Sequence, residues 1–172
     1  MKMNRRGMTG KIAAAFVLAG ALMAPAAYAD NDSGGGRNVL FVQQDKVTAF
    51  NPLTGAGQQV GTVTGRITGT SIVNFQFIPT SLTTINFDNN VVLTDLDGDQ
   101  IRFRNRGSGK FVLPIDPTAF AIGGPLVGNY EVIAGTGKYS NWVGRKFPYR
   151  AVASNPPDNL GSVYVEVYSN SR

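Results

Sequence analysis

Short runs of strand-forming residues follow one another along most of this chain, separated by glycine, proline, asparagine and aspartate. The runs are rich in Val, Ile, Thr, Phe and Tyr, and no window of twelve or more residues keeps helical spacing. They cover residues 38–44, 58–69, 70–78, 81–87, 90–96, 100–104, 129–134 and 162–168. Many short strands with regular turn signals are typical of a sandwich or a barrel, so we expect one all-β domain.

Of these two forms, a closed barrel protects an exported protein better against aggregation. Closure removes the edge strands, which otherwise serve as templates for aggregation. The expectation of export comes from the N-terminus. Four cations precede the apolar run Ile12–Met23, and Ala27-Tyr28-Ala29 has the small residues of a signal-peptidase site.

We therefore expect residues 1–29 to be a signal peptide and the mature protein to be secreted or periplasmic. Arg5-Arg6 leaves twin-arginine export open beside the general secretory route. The apolar run is shorter than the roughly 20 residues that span a bilayer, which argues against a stable membrane anchor. Residues 30–37, which include Gly34-Gly35-Gly36, have the composition of a flexible linker.

Removal of the leader nearly neutralises the chain. Four of the 16 Lys and Arg residues lie before position 30, whereas all 11 acidic residues lie at or after it, so 12 cations face 11 acids. The remaining positive charge is concentrated at 102–110, in the sequence RFRNRGSGK. That segment is too narrow for a nucleic-acid surface, and we expect no nucleic-acid partner.

The chain has neither cysteine nor histidine. Disulfides, thiolate or Ser-His-Asp nucleophiles, and metal sites built on nitrogen and sulfur are therefore excluded. Proton transfer would depend on Asp, Glu, Lys, Tyr or water. We expect neither a metal nor a cofactor.

The segment NNVVLTDLDGDQIRFRN (89–105) predicts a β-hairpin that turns at Asp97-Gly98. A two-residue type I′ turn there would place Thr94 opposite Ile101 and Val92 opposite Phe103. The three carboxylates of DLDGD also raise the alternative of calcium. Gln100 and Arg106 stand where an EF-hand loop needs glycine and glutamate, which favours the turn.

The segment AGTGKYSNWVG (134–144) contains Gly-Thr-Gly-Lys without the pattern of a phosphate loop. Val132 stands where the first Walker glycine belongs, and Tyr139 replaces the Ser or Thr that would bind magnesium. We therefore expect a glycine turn after a strand.

This segment resembles the G-G-T-G-x-[FY]-x-x-A-x-G signature of the allene oxide cyclase and dirigent-like barrels. Ala134 replaces a glycine and Trp142 a small residue, and the resemblance covers roughly residues 58–150. The matching positions are Gly135, Thr136, Gly137, Tyr139 and Gly144.

The resemblance implies an eight-stranded antiparallel, calycin-like β-barrel over residues 38–172, often a homo-oligomer and specifically a trimer. Proteins of that family steer a reactive small organic molecule to one stereochemical outcome, or have no known activity. No catalytic residue of the family has a counterpart that we can identify in this chain.

Alternation along the strands leaves open which face lines the lumen, because several strands carry apolar residues on both faces. One face of these strands carries polar as well as apolar residues, and we call it the mixed face. If the mixed face lines the lumen, it supplies a small-molecule site with a few polar groups among apolar neighbours. If it is outside, the same residues are solvated. The residues concerned are Asn74, Gln76, Asp95, Arg102, Arg104 and Glu131.

Two further features concern the ends of the barrel. We expect Tyr139 and Trp142 to plug one end, and 114–128 to be either a lid or a packed loop. The functional alternatives are a barrel that binds and guides a small apolar molecule, a non-catalytic carrier, and a structural or interaction module of the cell envelope with a filled barrel.

Overall fold

The computed structural model describes residues 38–81, 84–111, 122–154 and 161–169. The predicted leader (1–29), the linker (30–37) and Pro156-Pro157 lie outside these residues, as does 114–121 of the predicted lid or loop. The rest of that predicted segment, 122–128, is not irregular but belongs to a strand. None of the described helices is long and apolar enough to cross a bilayer. The elements are β1 (Val39–Asn51), β2 (Ala56–Gly65), β3 (Gly69–Pro79), β4 (Thr84–Asp95), β5 (Gln100–Phe111), β6 (Ile122–Gly135), a 3-10 helix (Gly137–Trp142), β7 (Lys146–Ser154) and β8 (Ser162–Tyr168).

Each strand pairs antiparallel with the next one along the chain, and β8 returns to pair with β1. The sheet is therefore a closed eight-stranded antiparallel barrel, which confirms the predicted all-β fold. Closure satisfies the backbone hydrogen bonds of the first and last strands, so neither strand is a free edge.

The strand boundaries differ from the prediction at several places. Three strands, β1, β5 and β6, are longer than the predicted runs 38–44, 100–104 and 129–134. β7 was missed because Pro148 lies within it, and proline argues against a strand. The predicted runs 81–87 and 90–96 belong to a single strand, β4, because the polar sequence Asp88-Asn89-Asn90 continues the pairing with β5.

The predicted register of the β4–β5 hairpin is wrong by one residue. The turn has three residues between Asp95 and Asp99, with Gly98 at a φ of 87°, and only glycines among the described residues have positive φ. A type I turn followed by a left-handed residue produces this arrangement. Thr94 therefore pairs with Gln100, and Val91, not Val92, lies opposite Phe103.

The barrel interior is filled from alternate positions of all eight strands. Val73, Phe75 and Phe77 of β3 are buried, whereas Ile72 and Ile78 face outward. At the centre, Tyr130 meets Phe103 and Tyr149 edge-on, with ring centroids 5.2 and 5.1 Å apart. Burial of a side chain of this size stabilises the fold by about 1.5 to 3 kcal/mol.

The end of the barrel that holds the β4–β5 turn is closed by the 3-10 helix. Tyr139 of this helix is buried and meets Trp142 edge-on, and Trp142 packs partly buried against Phe147. The guanidinium groups of Arg66 and Arg145 lie within 6 Å of the indole centroid, at 5.9 and 5.5 Å. We call this region the closed end.

Candidate functional site

A cavity of about 40 Å³ lies inside the barrel, in its middle and in the half away from the closed end. Its apolar lining includes Phe77 and Phe87, and Ala153 and Val163, which flank the β3–β4 and β7–β8 connections. None of its described lining residues is charged. Its polar lining consists of four amides and two phenols: Gln43, Gln59, Asn89, Asn105, Tyr130 and Tyr149.

Two polar atoms at this cavity have no hydrogen-bond partner among the described residues: Asn105 Oδ1 and the Tyr149 hydroxyl oxygen. Both side chains are deeply buried, with residue exposures of 5% and 4%. Leaving such an atom unpaired costs about 1 to 3 kcal/mol, so buried polar groups without partners are rare in folded proteins. Water or a ligand in the cavity would supply the missing partner of each atom.

A chain of hydrogen bonds lies inside the barrel beside the cavity. The Tyr130 hydroxyl donates to Gln43 Oε1 over 3.0 Å, and Gln43 Nε2 donates to Asp45 Oδ2 over 2.5 Å. The Ser71 hydroxyl donates to the other carboxylate oxygen of Asp45. We call these four residues the polar chain.

The local sequence makes room for the buried carboxylate of Asp45, which is 1% exposed. Gly61 on β2 pairs with Asp45, and a Cβ atom at that position would collide with the Gln44 carbonyl and the Asp45 carboxylate. A larger residue at position 61 would therefore displace the polar chain. Burial raises the pKa of Asp45, against the smaller opposing effects of Ser71 and Gln43.

Both phenols that line the cavity are neutral. Burial raises the pKa of Tyr130 and of Tyr149, because removal from water disfavours the charged phenolate. The cavity therefore offers hydrogen bonding without charge.

The closed end is organised around Asp95, which lies inside the barrel. Its Oδ1 accepts the backbone N–H groups of Asp97 and Asp99, each over 2.9 Å. Its Oδ2 accepts the Tyr139 hydroxyl over 2.9 Å and lies 2.7 Å from Lys138 Nζ. The Lys138 ammonium is the largest cause of the lowered pKa of Asp95.

This arrangement explains the two motifs that raised phosphate and calcium as ligands. Lys138 Nζ also lies 2.7 Å from Asp97 Oδ2. The lysine ammonium therefore occupies the position between the Asp95 and Asp97 carboxylates where a calcium ion would bind. The Lys138 backbone N–H donates to Asp99 Oδ2 over 3.2 Å, which fastens the helix to the turn. The described residues contain no group of three or more acidic side chains that could hold a metal ion.

Of the six predicted site residues, the structure brings only Asp95 into the barrel. Asn74, Arg102 and Arg104 are exposed on the outer face, and Gln76 and Glu131 are half-buried there. Four of the five make surface contacts. Arg104 pairs with Asp88, Glu131 with Lys146, and Asn74 with Gln58, whereas the Gln76 amide reaches the Thr54 carbonyl. The mixed face of these strands is therefore the outer one, apart from Asp95.

Sequence reasoning missed several polar residues in and beside the cavity because they lie outside the predicted strands. Asp45 and Asn105 each follow the last residue of a predicted run, Asn89 falls between two runs, and Tyr149 lies in the missed β7. Alternation continued from Phe41 would have placed Gln43 and Asp45 on its buried face.

Comparison of the chain with models of known protein families, with curated proteins and with solved structures gives no match. The resemblance to the allene oxide cyclase and dirigent-like barrels therefore stays a prediction.

Proposed function

We propose that this protein is an exported β-barrel that binds a small organic molecule in its cavity. The observation that carries the proposal is the pair of unpartnered, buried polar atoms at Asn105 and Tyr149. A ligand with polar groups placed to reach both atoms would satisfy them. Its hydrocarbon part would lie against Phe77, Phe87 and Val163, toward the end opposite the 3-10 helix.

The size of the cavity limits what it holds without rearrangement. At about 40 Å³ it accommodates a few water molecules, each of which needs roughly 10 to 15 Å³. Pockets for drug-sized ligands measure roughly 300 to 1,000 Å³. A ligand larger than a few water molecules would therefore enter only by displacing side chains that line the cavity.

The resemblance to allene oxide cyclase and dirigent-like barrels extends the proposal to chemistry. A neutral, largely apolar chamber would guide the cyclisation or coupling of a reactive molecule by holding it in one conformation. Such catalysis by shape needs no cofactor. The family also implies a homo-oligomer, specifically a trimer.

The second candidate is a structural or interaction module of the cell envelope with a filled barrel. The small cavity volume and the aromatic packing at its centre favour this alternative. A non-catalytic carrier would use the same cavity as the first candidate and differ from it only in lacking turnover.

Native mass spectrometry of protein purified from its own cell envelope tests the proposal. We expect a retained organic molecule that is lost in the double variant Asn105→Leu and Tyr149→Phe and kept in the control Tyr164→Phe. Tyr164 lies on the other face of β8 and bonds to Glu166.

A bare polypeptide mass in every preparation, with only water in the cavity of a crystal structure, would instead support the structural module. The same spectra report the oligomeric state, and an N-terminus at Asp30 would support cleavage of the leader.

A further inference from the structure

Two arginines at the closed end share one aromatic partner. The guanidinium groups of Arg66 and Arg145 lie over the ring of Trp142, with their central carbons 5.9 and 5.5 Å from the indole centroid. The two carbons are therefore separated by no more than the sum of these distances. Arg66 lies in the turn between β2 and β3, and Arg145 lies between the 3-10 helix and β7. The fold thus brings together two positive charges that are distant in the sequence.

Neither of these arginines has an acidic partner among the described residues. Nor does either side chain donate a hydrogen bond within the part of the chain that the structure describes. Four other cations are held in ion pairs: Arg104, Arg106, Lys138 and Lys146. Arg66 and Arg145 are therefore neighbouring cations whose charges no ion pair compensates.

The backbone fixes the positions of both arginines. The Arg66 N–H group donates to the Leu40 carbonyl and the Arg145 N–H group to the Trp142 carbonyl, each over 2.9 Å. Trp142 itself packs against two further aromatic rings. Both arginine side chains are nonetheless exposed to solvent. A ligand from solution therefore reaches the two guanidinium groups without any rearrangement of the barrel.

The chemistry of two adjacent guanidinium groups suits an oxyanion. Each group is planar and presents its N–H donors as a fork that fits two oxygens of one phosphate or carboxylate. Cation–π attraction uses the charge of the group and leaves these N–H donors available at its edge. Two such groups match a doubly charged anion, because each compensates one negative charge. A phosphate monoester carries about −1.5 to −2 charges at neutral pH, whereas a carboxylate carries one.

We infer that the closed end binds the phosphate group of a phosphate monoester between Arg66 and Arg145, with Trp142 as the support of both side chains. A soluble phosphoester and the headgroup of a lipid offer this same chemistry. The site lies apart from the cavity, which occupies the middle of the barrel and the half away from the closed end. The inference therefore does not rest on the proposed function.

Trp142 is the only tryptophan of the chain, so its fluorescence reports on this site. We would titrate the full mature chain with glycerol 3-phosphate, and with acetate as a singly charged oxyanion at the same ionic strength. Isothermal titration calorimetry measures the affinity independently of the indole. We expect saturable binding of glycerol 3-phosphate that is about tenfold tighter than that of acetate and weakens as salt is added. Equal affinities for the two anions would overturn the match to a doubly charged ligand.

Vesicles distinguish the two sources of the phosphate group. Co-sedimentation with phosphatidylcholine vesicles that contain phosphatidic acid, and not with pure phosphatidylcholine, would assign the site to a lipid headgroup. Binding of glycerol 3-phosphate without co-sedimentation would assign it to a soluble phosphoester, and binding in both arms would show that the site accepts either. No response in either arm would overturn the site and leave the two arginines as packing partners of Trp142.

Three variants locate the binding. Arg66→Gln and Arg145→Gln each remove one guanidinium and should weaken the binding of phosphate about tenfold, as expected for a charge-assisted hydrogen bond. Arg102→Gln is the matched control, because Arg102 is an exposed arginine of β5 and its loss changes the net charge equally. It should keep the wild-type affinity, and thermal transitions check that all three variants fold. An equal loss of affinity in all three would overturn the site, since general attraction to net charge would then explain the binding.

Discussion

Two aspartates inside the barrel occupy opposite electrostatic environments. Asp95 bonds to Lys138, Tyr139 and the backbone of its own turn, and its pKa is lowered mainly by the Lys138 ammonium. Asp45 is held by neutral donors only, and burial raises its pKa. The same residue type therefore responds to pH in opposite directions at the two positions.

The contribution of Asp45 to stability should fall as pH rises. Because its folded pKa lies above the ordinary value of 3.8, its stabilising contribution is complete below that value and is lost as pH rises through the folded pKa. Each unit of difference in pKa corresponds to about 1.4 kcal/mol. The titratable group coupled to Asp45 through Gln43 is the Tyr130 phenol, which remains neutral over this range.

Urea denaturation of Asp45→Asn and wild type at pH 4 and pH 8 would measure this effect. We expect the free energy of unfolding of the variant, relative to wild type, to increase between pH 4 and pH 8. The control Asp88→Asn removes a carboxylate whose pKa is lowered, mainly by a hydrogen bond from Arg104. The contribution of Asp88 is present above the ordinary value of 3.8 and lost only at lower pH, so the relative stability of this variant should change little between pH 4 and pH 8. If the free energies of unfolding of wild type and Asp45→Asn changed equally between pH 4 and pH 8, Asp45 would have the same pKa in the folded and the unfolded state.

At the level of single elements, turns decide which side chains face each other. The turn after Asp95 has three residues, and it shifts the pairing of β4 with β5 by one residue relative to the pairing that a two-residue turn would give. Every residue along the hairpin therefore has a different partner on the opposite strand. A second irregularity lies in β6. Phe103 pairs with Val132 and Arg102 with Ala134, so Ile133 is an extra residue, and both Ile133 and Ala134 face outward.

Substitution of the turn glycine tests the three-residue turn. Gly98 has a φ of 87° and no atoms near its Cβ direction, so Gly98→Ala adds backbone strain without a steric clash. We expect a loss of about 1 kcal/mol in the free energy of unfolding, measured by urea denaturation.

Leu96→Ala is the matched control in the same turn, because Leu96 is 82% exposed. Its effect should stay within about 0.5 kcal/mol, as for other surface substitutions. An equally small effect of Gly98→Ala would contradict a left-handed conformation at position 98.

At the scale of the whole molecule, closure depends on β8, which pairs with β7 on one side and β1 on the other. β8 also contributes the buried side chains of Val165 and Val167. Deletion of residues 162–172 should expose two edge strands and open the core. We expect the truncated protein to lose its cooperative thermal transition and to aggregate, as measured by circular dichroism and size-exclusion chromatography.

Deletion of residues 170–172 alone is the control and should leave both measurements unchanged. A soluble, cooperatively folded protein without residues 162–172 would show that the remaining seven strands are stable without closure.

The sequence by itself determined that the chain is a β-protein, because β-branched and aromatic runs interrupted by glycine leave no helical periodicity. It also located most strands and the turn near Asp97-Gly98. These are local properties, since turn chemistry and strand propensity act over a few residues.

Only the tertiary structure decided which face is inside and which residues form the cavity. In β3 both faces carry apolar side chains, so alternation defines two faces but does not orient them. Orientation follows from closure, which brings together alternate positions from eight strands, and from turn lengths that set each register. Gln43, Asn105 and Tyr149 come from three different strands, and no local pattern relates them. Their proximity exists only once the last strand pairs with the first.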